Sequence, residues 1–383
     1  MIRGLVCLLL VIGVFVLPLL GATASQAHPL SHYFHFPPEI LRTYPRFSLP
    51  GTLAIAVLPA AFLVWMIVPH RLGFRRDASR APAPVAGRFP WWGWAGLLWA
   101  LLWWAISWLP IEATGPLRSH AFSPLWLGYI LTVDGLVFRR KGHSLASRSI
   151  GRFLALFPAS AVLWWLFEYV NRFVQNWYYI GLTGQSPIEY VLFATPSFAT
   201  VLPALLETAE LLGSTAWVNT RYGDGPRWGS AGRWAWTLAV VGAAGLFLMG
   251  YNPTWFFPLA WLGPLLVLAP AVHRWLPARS VLSDLARGDY RALVALSLSG
   301  PVCGVFWEMW NYFSLPKWEY QVPLVMFARV FEMPALGYFG YVPFGWECLL
   351  IWNAWMVMLG IERDEVQVVP PWTPRGGHPG SRD

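Results

Sequence analysis

The chain has 383 residues, of which 56% are hydrophobic, 17% aromatic and only 12% charged, with 26 tryptophans and a formal net charge of +8. Soluble domains carry about 25% charged residues, so half that amount excludes a water-soluble globule, and the same numbers exclude a disordered or collagen-like chain. Three cysteines, Cys7, Cys303 and Cys348, all lie in apolar runs, which excludes a disulfide framework and a zinc site.

A hydrocarbon core about 30 Å thick needs roughly 20 apolar residues of helix. Ten such windows occur, at 4–24, 51–69, 90–110, 121–139, 153–171, 188–213, 233–252, 254–272, 291–313 and 335–360. The predicted fold class is an all-α polytopic membrane protein of about ten transmembrane helices. Nine remain if the first window belongs to a cleaved signal peptide, because Arg3, the run Leu5–Leu20 and the small residues Ala22-Thr23-Ala24 and Ser25-Gln26-Ala27 fit either reading. Residues 28–89 then comprise an extracytoplasmic segment, one helix and a basic cytoplasmic loop. In the first of these, His28, His32 and His35 lie close together, but no acid or cysteine accompanies them and Pro37-Pro38 marks an extended loop, so no metal is assigned.

Basic residues set the orientation. Arg71, Arg75, Arg76, Arg80 and Arg88 fill one loop, and Arg139, Arg140, Lys141, Arg148 and Arg152 the next but one. Arg221, Arg227 and Arg233, then Arg274, Arg279, Arg287 and Arg291, fill the following alternate loops, while 111–120 and 172–187 are nearly free of positive charge. This alternation reports topology, with the basic loops and the tail 361–383 expected in the cytoplasm and the chain in a bacterial inner membrane. It leaves no patch that calls for nucleic acid. The partners expected are membrane lipids and a lipid-soluble substrate, and a homo-oligomer is compatible with the composition.

The chain also repeats itself. Phe122-x-Pro124-Leu125-Trp126-Leu127-Gly128 returns, with one insertion, as Phe256-x-Pro258-Leu259-Ala260-Trp261-Leu262-Gly263. Phe167-Glu168-x-x-Asn171-x-Phe173 returns as Trp307-Glu308-x-x-Asn311-x-Phe313, and Pro203-x-x-x-Glu207 as Pro343-x-x-x-Glu347, both at an offset of 140 residues. Aromatic tails follow the acids, Trp177-Tyr178-Tyr179 and Trp318-Glu319-Tyr320. Each unit, 90–213 and 233–360, holds four windows. An even number returns the chain to the same side, so the units are parallel repeats whose shared site lies between them.

Eight of the 19 acidic residues, Asp134, Glu168, Glu189, Glu207, Glu210, Glu308, Glu332 and Glu347, fall in or beside these windows. An ionised carboxylate at mid-bilayer costs at least about 2.5–3.5 kcal/mol on insertion scales, so such groups face the bundle interior, pair, or hold a proton. Glu168 is flanked by Trp164, Trp165, Phe167 and Tyr169, and Glu308 by Phe306, Trp307, Trp310 and Tyr312. Aromatic rings stabilise cations by about 0.5–2 kcal/mol each. Buried acids among indoles therefore suit carbocation chemistry, in which an acid protonates an alkene, rings hold the cation and a carboxylate removes a proton. This needs no cofactor and no metal. Most of the tryptophans have a simpler use as interfacial anchors, and Glu207 and Glu347 have one in snorkelling towards loop arginines.

These residues resemble a family, the small membrane-type lycopene cyclases of bacteria and archaea, whose domains are used in pairs, as heterodimers or fusions. The family's Trp-acid pair, Trp-x-Phe/Tyr loop, Pro-Leu-Glu-Glu motif, Pro-Phe and later Glu are matched in the first unit by Phe167-Glu168, Trp177-Tyr178-Tyr179, Pro187-Ile188-Glu189-Tyr190, Pro196-Ser197-Phe198 and Glu207. The second unit offers Trp307-Glu308, Trp318-Glu319-Tyr320, Phe331-Glu332-Met333-Pro334, Pro343-Phe344 and Glu347. The likeness covers some 60 residues per unit, and the paired glutamates are reduced to Glu189-Tyr190 and Glu332-Met333. It implies a redox-neutral cyclase-like or hydratase-like enzyme of isoprenoid or carotenoid metabolism. Glu168 and Glu308 would be acid and base in unassigned order, with Glu189 and Glu332 as further carboxyls. Asn171 and Asn311 would orient the acids. Trp165, Trp307 and Trp310, with Glu207 and Glu347, would line the substrate site. Two rival readings use the same acids: a proton- or cation-coupled transporter or channel, in which they form a path along the repeat axis, and a non-catalytic membrane scaffold, in which they are fully paired.

Overall fold

All ten windows are helical in the computed structural model, which describes residues 2–39, 44–82, 87–109, 114–182, 184–229, 231–361, 366 and 368–369. The long helices are α1 (Ile2–Ser25), α2 (Leu49–Ile67), α3 (Trp91–Trp108), α4 (Phe122–Lys141), α5 (Ile150–Val174), α6 (Pro187–Phe198), α7 (Val201–Gly213), α8 (Ala231–Tyr251), α9 (Leu259–Trp275), α10 (Arg291–Tyr312) and α11 (Tyr341–Leu359). Seven stretches, namely α1, α2, α5, α6 with α7, α8, α10, and α11 with the turn before it, are long and apolar enough to cross a membrane. The chain is an integral membrane protein by this measure. The remaining three are embedded in the same bundle: α3 is rich in tryptophan, α4 ends in Arg139, Arg140 and Lys141, and α9 has 17 residues. Outward faces carry bare aliphatic side chains, such as Leu53, Val57 and Leu58 of α2 and Val240 and Val241 of α8, as a lipid-facing surface requires. Most of the predicted tail lies outside the described residues.

The window 188–213 is two helices rather than one. Pro203 has no N–H to give to the Ala199 carbonyl, and the neighbouring rung is opened from α5: Ser160 Oγ donates to Phe198 O at 2.6 Å and accepts from Leu202 N at 2.9 Å. Inserting a hydroxyl into the ladder is a recognised cause of a helix break. Pro158 and Pro301, by contrast, lie inside uninterrupted α5 and α10.

In lipid, helices associate through close packing at small residues rather than by expelling water. α10 and α11 touch where a Cβ on Gly300 would lie 1.8 Å from Tyr341 O, and one on Gly345 2.0 Å from Leu296 O. α1 meets α8 in the same way, at Gly21 against Phe247 O and Gly250 against Pro18 O, both 1.9 Å. α1 also buries Cys7 and Val14 and accepts a bond at Phe15 O from the Tyr169 hydroxyl. α3 packs along α4, α8 along α9, and α7 along α10, which places α7, α10 and α11 at the centre.

The arginine-bearing loops gather at one end. Arg75 N bonds to Asp224 O, Asp77 N to Thr220 O, Tyr290 N to Tyr222 O and Gly225 N to Gly288 O, each at 2.8 Å, and Arg140 Nε reaches Ser214 Oγ at 2.9 Å. Val368 of the tail packs on Gly213 at this same end. The opposite end holds structure that an all-helical expectation lacks. β1 (Trp177–Ile180) pairs antiparallel with β2 (Lys317–Tyr320) in the register Trp177 to Tyr320 and Tyr178 to Glu319, and β3 (Arg329–Val330) pairs with β4 (Met333–Pro334). β1 follows α5 and β2 follows α10, so one small sheet ties the two central acid-bearing helices together.

Two outcomes follow from this packing. Gly250→Leu should force α1 off α8 and cost about 1–3 kcal/mol, seen as a lower thermal midpoint in detergent. At the basic end, burial and the neighbouring Asp289 push Asp284 up to about 7, against the pull of Arg287 and Arg291. The folded state therefore holds this proton more tightly than the unfolded chain, and the associated stability is present below about pH 4 and lost as pH rises through 7. Asp284→Asn should flatten that part of the stability profile measured by thermal unfolding.

Candidate functional site

Glu168 lies on the last turns of α5 and is buried. Its Oε1 accepts three bonds, from Trp164 Nε1 at 3.0 Å, Trp177 Nε1 at 3.0 Å and the Tyr179 hydroxyl at 2.6 Å. Glu308 stands at the matching place on α10 with no exposure at all, and its Oε1 accepts from the hydroxyls of Tyr320 and Tyr341, each at 2.7 Å. Trp318 Nε1 donates in turn to the Tyr320 oxygen at 2.8 Å. Glu308 Oε2 has no partner among the described residues. A hydrogen bond contributes about 0.5–1.5 kcal/mol, so each carboxyl fixes the rings that donate to it.

Those rings line one cavity of about 1170 Å³. Trp164, Trp177 and Tyr179 contribute from the Glu168 side, and Tyr320 and Tyr341 from the Glu308 side, with Trp307 and Trp261 between them. Phe167 stacks on Trp261 with centroids 5.1 Å apart, and Phe344 meets Phe167 edge-on at 5.3 Å. Neither acid borders this cavity itself; each stands one side chain behind its wall. Aromatic and aliphatic groups dominate the lining, and polar ones such as Asn311, Lys317 and Glu189 are few. Ile55, Leu58, Pro59 and Phe62 of α2 form one wall. That helix is held at its two ends, where Thr52 Oγ1 bonds to Leu324 O at 2.8 Å and Trp65 packs against Phe74 and Tyr222, while its middle is exposed.

The other predicted residues take varied positions. Asn171 and Asn311 do not orient the carboxyls. Asn171 Nδ2 donates to Trp177 O at 2.8 Å and its Oδ1 accepts from Asn176 N, while Asn311 bonds to Trp318 O at 2.7 Å and Trp318 N at 2.9 Å. The amides position the strands, and the strands bring the donors. Glu189 is exposed at the cavity rim and closes a capping box with Ser186. Glu332 is bound by Lys317 at 2.6 Å and lies within 3.7 Å of Arg329. Trp307 lines the cavity, and Trp310 is buried against Trp126 and Trp104 behind it. Trp165 faces a smaller cavity beyond Glu168. Glu207 and Glu347 are fully buried on α7 and α11, border neither cavity and form no ion pair among the described residues, so they do not snorkel to arginine. Glu210, one turn from Glu207, does pair, with Lys141 at 2.5 Å and Arg148 at 2.7 Å.

Sequence reading singled out no tyrosine as a site residue. Tyr179 and Tyr320 stood in the duplicated aromatic tails, which was a usable signal, but Tyr341 has Val201 at the corresponding offset and so left no trace in the repeat. No family model, no curated protein and no solved structure matches the chain.

Removing the acceptor tests this arrangement. Glu308→Ala removes the shared acceptor of two buried phenols, which then have only each other at 3.4 Å, and the donor left over costs about 1–3 kcal/mol, whereas Glu308→Gln keeps one oxygen in place. The alanine variant should unfold in detergent at a clearly lower temperature than the glutamine variant. Equal midpoints would show that the phenols do not depend on Glu308.

Proposed function

We propose that this protein is a redox-neutral acid–base enzyme acting on a long, apolar, isoprenoid-type molecule held in the cavity between two parallel four-helix repeats. The observation that carries the reading is the convergence of both acid clusters on that one cavity, through Tyr179 on one side and Tyr320 and Tyr341 on the other. Several features support the repeat. α5 and α10 each end in an acid, an asparagine one turn on and a strand, and the two strands pair antiparallel about a point midway between them, as a two-fold axis along the bundle requires. The gathering of arginines at one end supports a cytoplasmic placement for that end and the tail, in a bacterial inner membrane.

The volume exceeds the roughly 300–1,000 Å³ of sites for drug-sized ligands, which suits a chain-like substrate. Its lining surface is mainly apolar, which favours a lipid-soluble substrate over an ion path. A substrate dissolved in the bilayer would enter beside the middle of α2. In the reaction, a protonated carboxyl passes its proton to the phenol oxygen as the phenol's own proton goes to a terminal alkene carbon, which leaves the carboxylate. The adjacent cationic carbon is attacked by a second alkene, forming the ring bond, and a proton leaves the neighbouring carbon to the opposite cluster. The net change is isomerisation, with one proton taken up and one returned. Trp307 and Trp261 stand where the cation would develop. Trapping by water instead of an alkene gives hydration at the same site.

Expression in a lycopene-accumulating bacterium, with pigment chromatography, tests the cyclase form. The wild type should yield new cyclised or hydrated pigment, and Glu308→Gln should lower the yield about 10²–10⁴-fold, the usual size of an acid–base contribution. Unchanged pigment with well-folded wild-type protein would reject a carotenoid substrate.

A further inference from the structure

Glu168 also faces away from the large cavity. All three of its bonds fall on Oε1, which leaves Oε2 without a hydrogen bond among the described residues, and the side chain borders a separate cavity of about 260 Å³. Arg172, one helical turn on, borders the same space. Opposite charges at this spacing on a helix ordinarily pair. Here Arg172 instead turns NH1 to two carbonyls, Tyr33 O at 3.0 Å and His35 O at 2.6 Å, with its guanidinium carbon 5.6 Å from the centre of the Phe36 ring. Its Nε and second amino group remain available. Phe36, Trp165 and Tyr190 wall the cavity, with Phe36 5.2 Å from Tyr190 and 6.0 Å from Trp165.

A small aromatic chamber that keeps a carboxylate oxygen and a guanidinium edge apart has the complementarity of a zwitterion. We propose that it binds one, with an ammonium against Glu168 Oε2 and the rings, and an oxyanion on the open edge of Arg172. Charges on groups whose Cβ atoms are about 5–6 Å apart match an amine and an acid joined by a short linker. Aromatic rings beside a carboxylate favour the ammonium, and a guanidinium favours a phosphate or carboxylate. The chamber lies where α1 and α5 end, beside Phe34, which is 62% exposed. That is the headgroup level of a bilayer, so the ligand chemistry is that of phosphoethanolamine, supplied by a phospholipid headgroup or by a free small molecule. The chamber is too small for an acyl chain, which would run outward along the exposed apolar surface. Glu168 then serves two spaces, one oxygen to each; the chamber shares this carboxyl with the large cavity, but its binding is read without the reaction.

Native mass spectrometry of the detergent-purified full chain tests this, with phosphatidylethanolamine, phosphatidylglycerol and free phosphoethanolamine as probes. The wild type should retain phosphatidylethanolamine at least tenfold better than phosphatidylglycerol, and E168Q and R172Q should each lower that retention at least tenfold. E168Q keeps an oxygen for the three ring bonds, and thermal midpoints of both variants report whether they remain folded. Displacement of the lipid by free phosphoethanolamine would assign the soluble form, and resistance to it the lipid form; either supports the site. Equal retention of the two lipids by the wild type, or full retention by a folded E168Q or R172Q, would overturn it, whatever the pigment experiment shows.

Discussion

Two acids buried at the strand end of this bundle, Glu168 and Glu308, are met by donors that are all aromatic. Trp164, Trp177 and Tyr179 answer Glu168, and Tyr320 and Tyr341 answer Glu308. The consequence reaches beyond the acids. Indole and phenol rings pinned at their polar edges cannot rotate freely, so the wall of the large cavity is set by hydrogen bonds rather than by packing alone. An interior that is satisfied on one side and apolar on the other can be open without collapsing.

The same demand explains the extramembrane structure. Trp177, Tyr179 and Tyr320 reach the acids only because β1 and β2 fold back over α5 and α10, and Asn171 and Asn311 hold that fold-back by capturing strand carbonyls and amides. The helices below are free to approach closely because glycines line their contacts, Gly300 and Gly345 between α10 and α11 and Gly21 and Gly250 between α1 and α8. Small residues draw the centre together and large rings prop one end apart, and this division places the cavity at the strand end. Paired charges such as Glu210 with Lys141 and Arg148 occupy the other end, where arginine-rich loops interlock.

Much of this was legible in the sequence, and for physical reasons. Apolar windows of membrane length report helices because lipid permits few other structures, and the spacing of Glu168 and Glu308 in duplicated contexts pointed to equivalent positions. The strands were not legible. Four-residue segments such as Trp177–Ile180 have no period to read, and their pairing partner lies in the other half of the chain. The break at Ala199 depends on Ser160 from another helix, which no local pattern announces. The roles of the asparagines were misread because proximity to an acid along a helix says nothing of the loop that also comes near. Tyr341 was invisible for want of a counterpart, and Glu207 and Glu347, prominent in the sequence match at an offset of 140 residues, lie away from both cavities.

The central claim is that two acid clusters share one cavity fitted to a chain-like apolar molecule. A cryo-EM map of the protein in lipid nanodiscs loaded with a long isoprenoid measures this most directly. Elongated density is expected to run past Trp261 from Tyr179 to Tyr341, with Glu168 and Glu308 one side chain behind it. Tyr179 and Tyr341 opening onto separate lipid-facing surfaces, with no common space between them, would contradict it.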